Sequence, residues 1–104
     1  MEAMLKPEVL QAGELEAVPD AGLVRVSGQP VVLSVREFGL LVALLRRAGQ
    51  VVSREELYAE VWGGELRADD RSVDVYVHKL RVKLGAALPG QTVIHTHFGF
   101  GYRV

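Results

Sequence analysis

A chain of 104 residues has room for one domain, and a hydrophobic share of 49% is enough to fill one core. No apolar run approaches the ~18 residues of a membrane span, and the absence of cysteine excludes disulfides and thiolate metal or nucleophile sites. The net charge of −1 argues against a uniformly basic nucleic-acid binder, yet it is unevenly spread: residues 1–66 carry six Lys/Arg against ten Asp/Glu, and residues 67–104 six against three.

The opening MEAMLKPEVLQAGELE is acidic and has no apolar signal core, which predicts a cytoplasmic protein. Residues 1–8 read as a linker or tail, and residues 9–104 as the domain. LQAGELEAV, GLVRV and VVLS lean toward β-structure, separated by the turn signals PDAG and SGQP. They predict an antiparallel sheet with a packing role. Ser34 with Glu37 forms a capping box that opens a helix from Val35 to Ala48, stopped by Gly49. Phe38, Leu41, Leu45 and Ala48 make its apolar face. Ser53 with Glu56 forms a second box, and Leu57, Val61 and Trp62 line the next helix up to Gly63-Gly64.

GGELRADD, residues 63–70, is a polar loop. Its Asp69-Asp70 pair suits the positive end of a following helix better than it suits a metal, because no further carboxylate cluster is nearby. That third helix is Arg71–Leu84, closed by Gly85. At about 100° per residue, Val73, Val77, Leu80 and Leu84 share one stripe. Arg71, Val75, His78, Lys79 and Val82 point the other way, with Ser72 and Lys83 on one flank and Asp74 and Arg81 on the other. Exposed valines among cations suit a DNA major groove, where a cation meets phosphate or guanine and a methyl meets thymine. A solvated basic helix with incidental valines is the alternative on periodicity alone.

AALPGQ reads as a loop, and TVIHTH and YRV as two strands around FGFG. Two helices, a basic helix and a hairpin follow the order of a winged helix-turn-helix. A phosphate-cradling glycine loop would lead into a helix, and this one leads into a strand. His95 and His97 share a strand face, but no third ligand accompanies them, so no metal is expected. No nucleophile, base and orienter come together, and neither an enzyme nor a cofactor is expected.

Four blocks taken in order, LSVREFGLLVALL, GQVVSREELYAEVWG, DDRSVDVYVHKLRVKL and FGFGYRV, resemble the effector domain of OmpR/PhoB-type two-component response regulators. The resemblance covers the chain from about Leu10. It implies an α+β fold: a winged helix-turn-helix with an N-terminal four-stranded antiparallel sheet, three helices and a C-terminal hairpin wing. It further implies transcription regulation through double-stranded DNA with tandem half-sites, a dimer on DNA, and a receiver domain with a phosphorylated aspartate in a longer protein. Carried over by position, Ser72, Val75, Tyr76 and Lys79 face bases, and Arg71, His78, Arg81 and Lys83 meet the backbone. Asp74 is structural, holding Arg81 or His78. The wing is His97, Phe98 and Gly99, with Gly99 and Gly101 shaping its turn. Gly64, Glu65 and Arg67 stand where relatives can meet RNA polymerase.

Two departures stand out. Phe98 replaces the wing arginine that enters a minor groove, and His78-Lys79 replaces a pair of arginines, so lysine's point charge stands where a planar fork would. Both predict weaker, more pH-sensitive or differently specific DNA binding. A winged helix that serves as a protein-interaction module is the competing reading.

Overall fold

The computed structural model describes residues 7–104; of the tail expected at 1–8, only Pro7 and Glu8 fall within it, and Glu8 reaches Arg46 at 2.8 Å. A meander of four short antiparallel strands comes first: β1 Leu10–Ala12, β2 Leu15–Val18, β3 Leu23–Val26 and β4 Gln29–Pro30, in sheet order β1-β2-β3-β4. LQAGELEAV is thus two strands folded back at Gly13, with Leu10 opposite Ala17. Alternation sends Leu15, Ala17, Val24 and Val26 into the core. VVLS, expected as a strand, is not one. Its ladder stops at Pro30, and only the Val31 N–H continues to the Val24 carbonyl at 2.9 Å before the chain turns into the first helix.

Helix α1 spans Val35–Leu45 and helix α2 Arg54–Val61, and both capping boxes are formed as expected. Ser34 and Ser53 each accept from the third helical N–H, while Glu37 and Glu56 accept from the serine N–H groups. Helix α1 stops three residues short of the expected Ala48. The Arg47 and Ala48 N–H groups bond three residues back, to Leu44 and Leu45, so the end tightens and Ala48 is exposed.

Helix α3 spans Ser72–Ala87 and runs through Gly85. Glycine costs about 1 kcal/mol relative to alanine inside a helix. Leu88, buried one turn beyond Leu84, anchors the extra turn. The predicted stripe is the face that packs: Val73, Val77, Leu80 and Leu84 are at most 1% exposed. Full burial contributes about 2 kcal/mol for each such side chain. They meet Leu40, Leu41 and Leu44 of α1 and Leu57 of α2 in one core.

Strands β5 His95–His97 and β6 Gly101–Arg103 form the C-terminal hairpin, paired His95 to Arg103 and His97 to Gly101. The hairpin is stitched to the α1–α2 connection by an isolated bridge. Val52 N–H donates to the Tyr102 carbonyl at 2.8 Å, and Tyr102 N–H to the Val52 carbonyl at 3.0 Å. Gly101, at φ +146°, lies directly against the Val52 backbone.

Candidate nucleic-acid interface

With its apolar stripe in the core, α3 presents the opposite side outward. Val75 and Val82 are 47% and 58% exposed, and Arg71, His78 and Lys79 stand exposed among them. The Asp70 carboxylate, one position before the N-cap, accepts from Ser72 N–H at 2.7 Å; the N-cap itself is Arg71 and not the expected aspartate, while Asp69 stays in solvent. Hydrogen bonding to Ser72 holds the Asp70 carboxyl below its usual range. The remaining predicted positions divide by flank.

On the α2 side, Tyr76 is half-buried. Its ring meets Trp62 edge-on at 5.4 Å, and Trp62 stacks on Tyr58 at 5.4 Å. Lys79 lays its ammonium over the Tyr76 ring at 4.7 Å, and Arg36 stands over Trp62 at 5.3 Å. This ladder, running from α1 and α2 up to Lys79, was not anticipated from the sequence. The spacing of Tyr58 and Trp62, one turn apart, was its only visible sign. Lys83, on the same flank, pairs with the buried Glu37 at 2.6 Å. Burial pushes the Glu37 carboxyl up, but the Lys83 and Ser34 hydrogen bonds and the Lys83 charge outweigh it and hold the group below its ordinary value.

On the hairpin side, the Arg81 guanidinium donates to the Ile94 carbonyl at 2.9 and 3.2 Å and to Thr96 Oγ1 at 2.6 Å, and lies over the Tyr102 ring at 5.6 Å. Asp74 is structural, as expected, but its partners differ from the expected Arg81 or His78. It takes Arg54 of α2 at 3.0 Å, Arg71 at 3.7 Å and the Tyr102 hydroxyl at 2.5 Å. The reason lies in position: Asp74 faces the α2 start and β6, where Arg54 and Tyr102 converge. Burial, and then the bond to Asp74, push the Tyr102 phenol up to about 12.

The hairpin tip carries Phe98 and Phe100, 88% and 77% exposed, on either side of Gly99 at φ +82°. His97 is half-buried, its Nε2 accepting from Arg103 Nε at 3.0 Å. Arg54, Arg71, Phe98 and Phe100 line one depression between the helix starts and the hairpin. Among the described residues no group of three metal-ligating side chains gathers at His95 and His97 or elsewhere. Gly64, Glu65 and Arg67 are exposed on the α2–α3 loop.

An exposed cationic helix face beside a braced hairpin is an arrangement shared with known proteins. The family described as transcriptional regulatory protein, C terminal, matches residues 28–104. The chain belongs to this family. Among its relatives, the transcriptional regulatory protein CseB of Streptomyces avermitilis is 43% identical over 96 residues, which are 92% of this chain and 39% of CseB. The sensory transduction protein RegX3 of Mycolicibacterium smegmatis is 34% identical, over 92% of this chain and 42% of RegX3. The chain therefore spans about two fifths of these curated relatives.

Whole-domain matches come from solved structures. The DNA-binding domain of CpxR from E. coli superposes with a TM-score of 0.84 at 35% identity, covering 92% of this chain and 94% of that one. The Klebsiella pneumoniae RstA DNA-binding domain, solved in complex with the RstA box, gives 0.83 at 32% identity, with coverage of 92% and 95%. The fold is thus the winged helix of OmpR/PhoB-type regulators, as the four sequence blocks implied. Among the described residues no helix is long and apolar enough to cross a membrane.

Proposed function

We propose that this family member binds double-stranded DNA sequence-specifically as the effector part of a two-component response regulator, with α3 in the major groove and the hairpin at the adjacent minor groove. The carrying observation is the outer face of α3, where Val75 and Val82 stand exposed among Arg71, His78 and Lys79. Burial of the opposite stripe leaves this face free of any packing duty. Ser72, Val75, Tyr76 and Lys79 are the base-facing set. The Tyr76 ring beneath its ammonium steers Lys79, which donates to guanine edges. Arg71 and His78 carry the phosphate contacts. Arg81 and Lys83, assigned by resemblance to the same task, have their charges engaged by Ile94, Thr96 and Glu37, so we give them the lesser share. Wing contacts fall to Phe98 and Gly99, with His97 bracing the hairpin beneath them.

The further reading follows the relatives' greater length: a receiver domain in the same polypeptide, tandem half-sites bound by two copies, and an exposed Gly64–Glu65–Arg67 loop available to RNA polymerase. Selection from a random duplex library, followed by salt titration, tests the proposal. A repeated motif spaced by about one helical turn is expected. Lys79→Ala should lower affinity and relax preference at one base position, and Arg71→Ala should weaken every sequence alike and flatten the salt slope by about one. Failure to enrich any duplex, with a stable protein partner instead, would replace DNA with a protein ligand.

A further inference from the structure

Phe98 and Phe100 have no part in holding the fold. Their rings are 88% and 77% exposed, and the turn that carries them is closed beneath by Phe100 N–H donating to the His97 carbonyl at 2.8 Å. Everything below the tip is fastened. His97 holds Arg103, Thr96 holds Arg81, Tyr102 holds Asp74, and Gly101 sits against Val52. A folded surface seldom leaves two large apolar rings together on a fastened turn unless something covers them.

What covers them is constrained by their neighbours. The depression between hairpin and helix starts is lined by Phe98 and Phe100, by Arg54 and Arg71, and by the carboxylates Glu55 and Asp74, of which Asp74 already pairs with Arg54. The Arg71 side chain is 75% exposed, and Asp74 is 3.7 Å from its guanidinium. A phosphate strand seated on Arg71 separates two grooves, because major and minor grooves alternate across each strand. With α3 in the major groove, the aromatic tip meets the minor one. Phenylalanine offers neither charge nor hydrogen bonds there. Its available chemistry is insertion between base pairs, which partly unstacks a step and bends the duplex away.

Resting on the DNA-binding reading above, we infer that Phe98 and Phe100 form an apolar wedge that enters the minor groove beside α3 and opens a base step. Pyrimidine–purine steps unstack most easily, so the wedge adds sequence preference at a position with no hydrogen-bond readout. Phe98 leads and Phe100 backs it across Gly99.

The test uses the full chain and the duplex it selects from a random pool, with a fluorescent adenine analogue placed in turn at each candidate step. Wild type should raise the fluorescence at one step outside the α3 site. Phe98→Ala should abolish that rise and lower affinity roughly tenfold, with an unchanged salt slope, since an apolar contact releases no counterion. Phe98→Arg should recover affinity without the fluorescence rise and steepen the slope by about one. Circular dichroism checks that the exposed-tip variants stay folded. Wild-type affinity and signal in Phe98→Ala, alongside a loss in Lys79→Ala, would overturn the wedge and leave the DNA-binding reading standing. A Phe98→Ala defect seen only on tandem sites, and not on a single half-site, would reassign the tip to a neighbouring copy of this chain. Failure to select any duplex, or indifference to Lys79→Ala, would sink the DNA-binding reading and the wedge with it.

Discussion

Replacing Gly101 with alanine tests how the hairpin is attached. A Cβ there would lie 2.0 Å from the Val52 carbonyl oxygen, 2.7 Å from its carbon and 2.9 Å from Ser53 Cα. All three are backbone atoms, so no side-chain rotation relieves the contact. The strand must withdraw, and both Val52–Tyr102 hydrogen bonds, at 2.8 and 3.0 Å, open together. Each contributes about 1 kcal/mol net. Holding a non-glycine residue at φ +146° costs about 1–3 kcal/mol more. The sum, about 3–5 kcal/mol, is a large part of the ~5–15 kcal/mol by which a domain is stable. Gly99→Ala is the control: its φ is +82° with nothing within 4 Å, so only a backbone cost of about 1 kcal/mol applies. Urea unfolding followed by the fluorescence of the single Trp62 measures both. A gap under ~0.5 kcal/mol between the two variants would refute the attachment described.

Arg81→Ala should destabilise by about 2 kcal/mol, because the Ile94 carbonyl loses its charged donor; a melting shift near zero would show that water replaces it. Acid should weaken the fold through Glu37. Its folded pKa is lowered, so its stabilisation is present above the usual carboxylate range and is lost as pH falls through the folded value. Glu37→Gln should flatten the loss of urea midpoint between neutral and acid pH. Tyr102 acts oppositely. Raised from 10.0 to about 12, it stabilises fully below pH 10 and loses that contribution as pH rises toward 12. Tyr102→Phe should remove this alkaline component of unfolding, as read by denaturation at pH 9 and again near pH 12.

Local signals were the legible ones. Ser34–Glu37 and Ser53–Glu56 mark helix starts because both partners lie within four residues, and the Val73–Leu84 stripe shows in periodicity alone. Helix ends were less legible, since Gly85 reads as a stop until the burial of Leu88 outweighs it. VVLS has strand-like composition but lacks a partner beyond Pro30, and partners are not written locally. On the candidate interface, facing residues could be read from angle, yet their engagements could not. Lys83 finds Glu37 forty-six positions away, and Asp74 finds Arg54 and Tyr102 across twenty and twenty-eight. Such pairings depend on how three helices and a hairpin converge.

The Asp74 cluster has a consequence for the thermodynamics of association. By tying α2, α3 and β6 at one carboxylate, it fixes the span between helix and hairpin tip before any ligand arrives. The domain works as a set caliper. Little ordering entropy is left to lose on contact, so more of each contact's free energy becomes affinity. On the proposed DNA-binding reading, a duplex whose groove spacing departs from that span must itself distort to fit, so helical geometry becomes part of what is recognised.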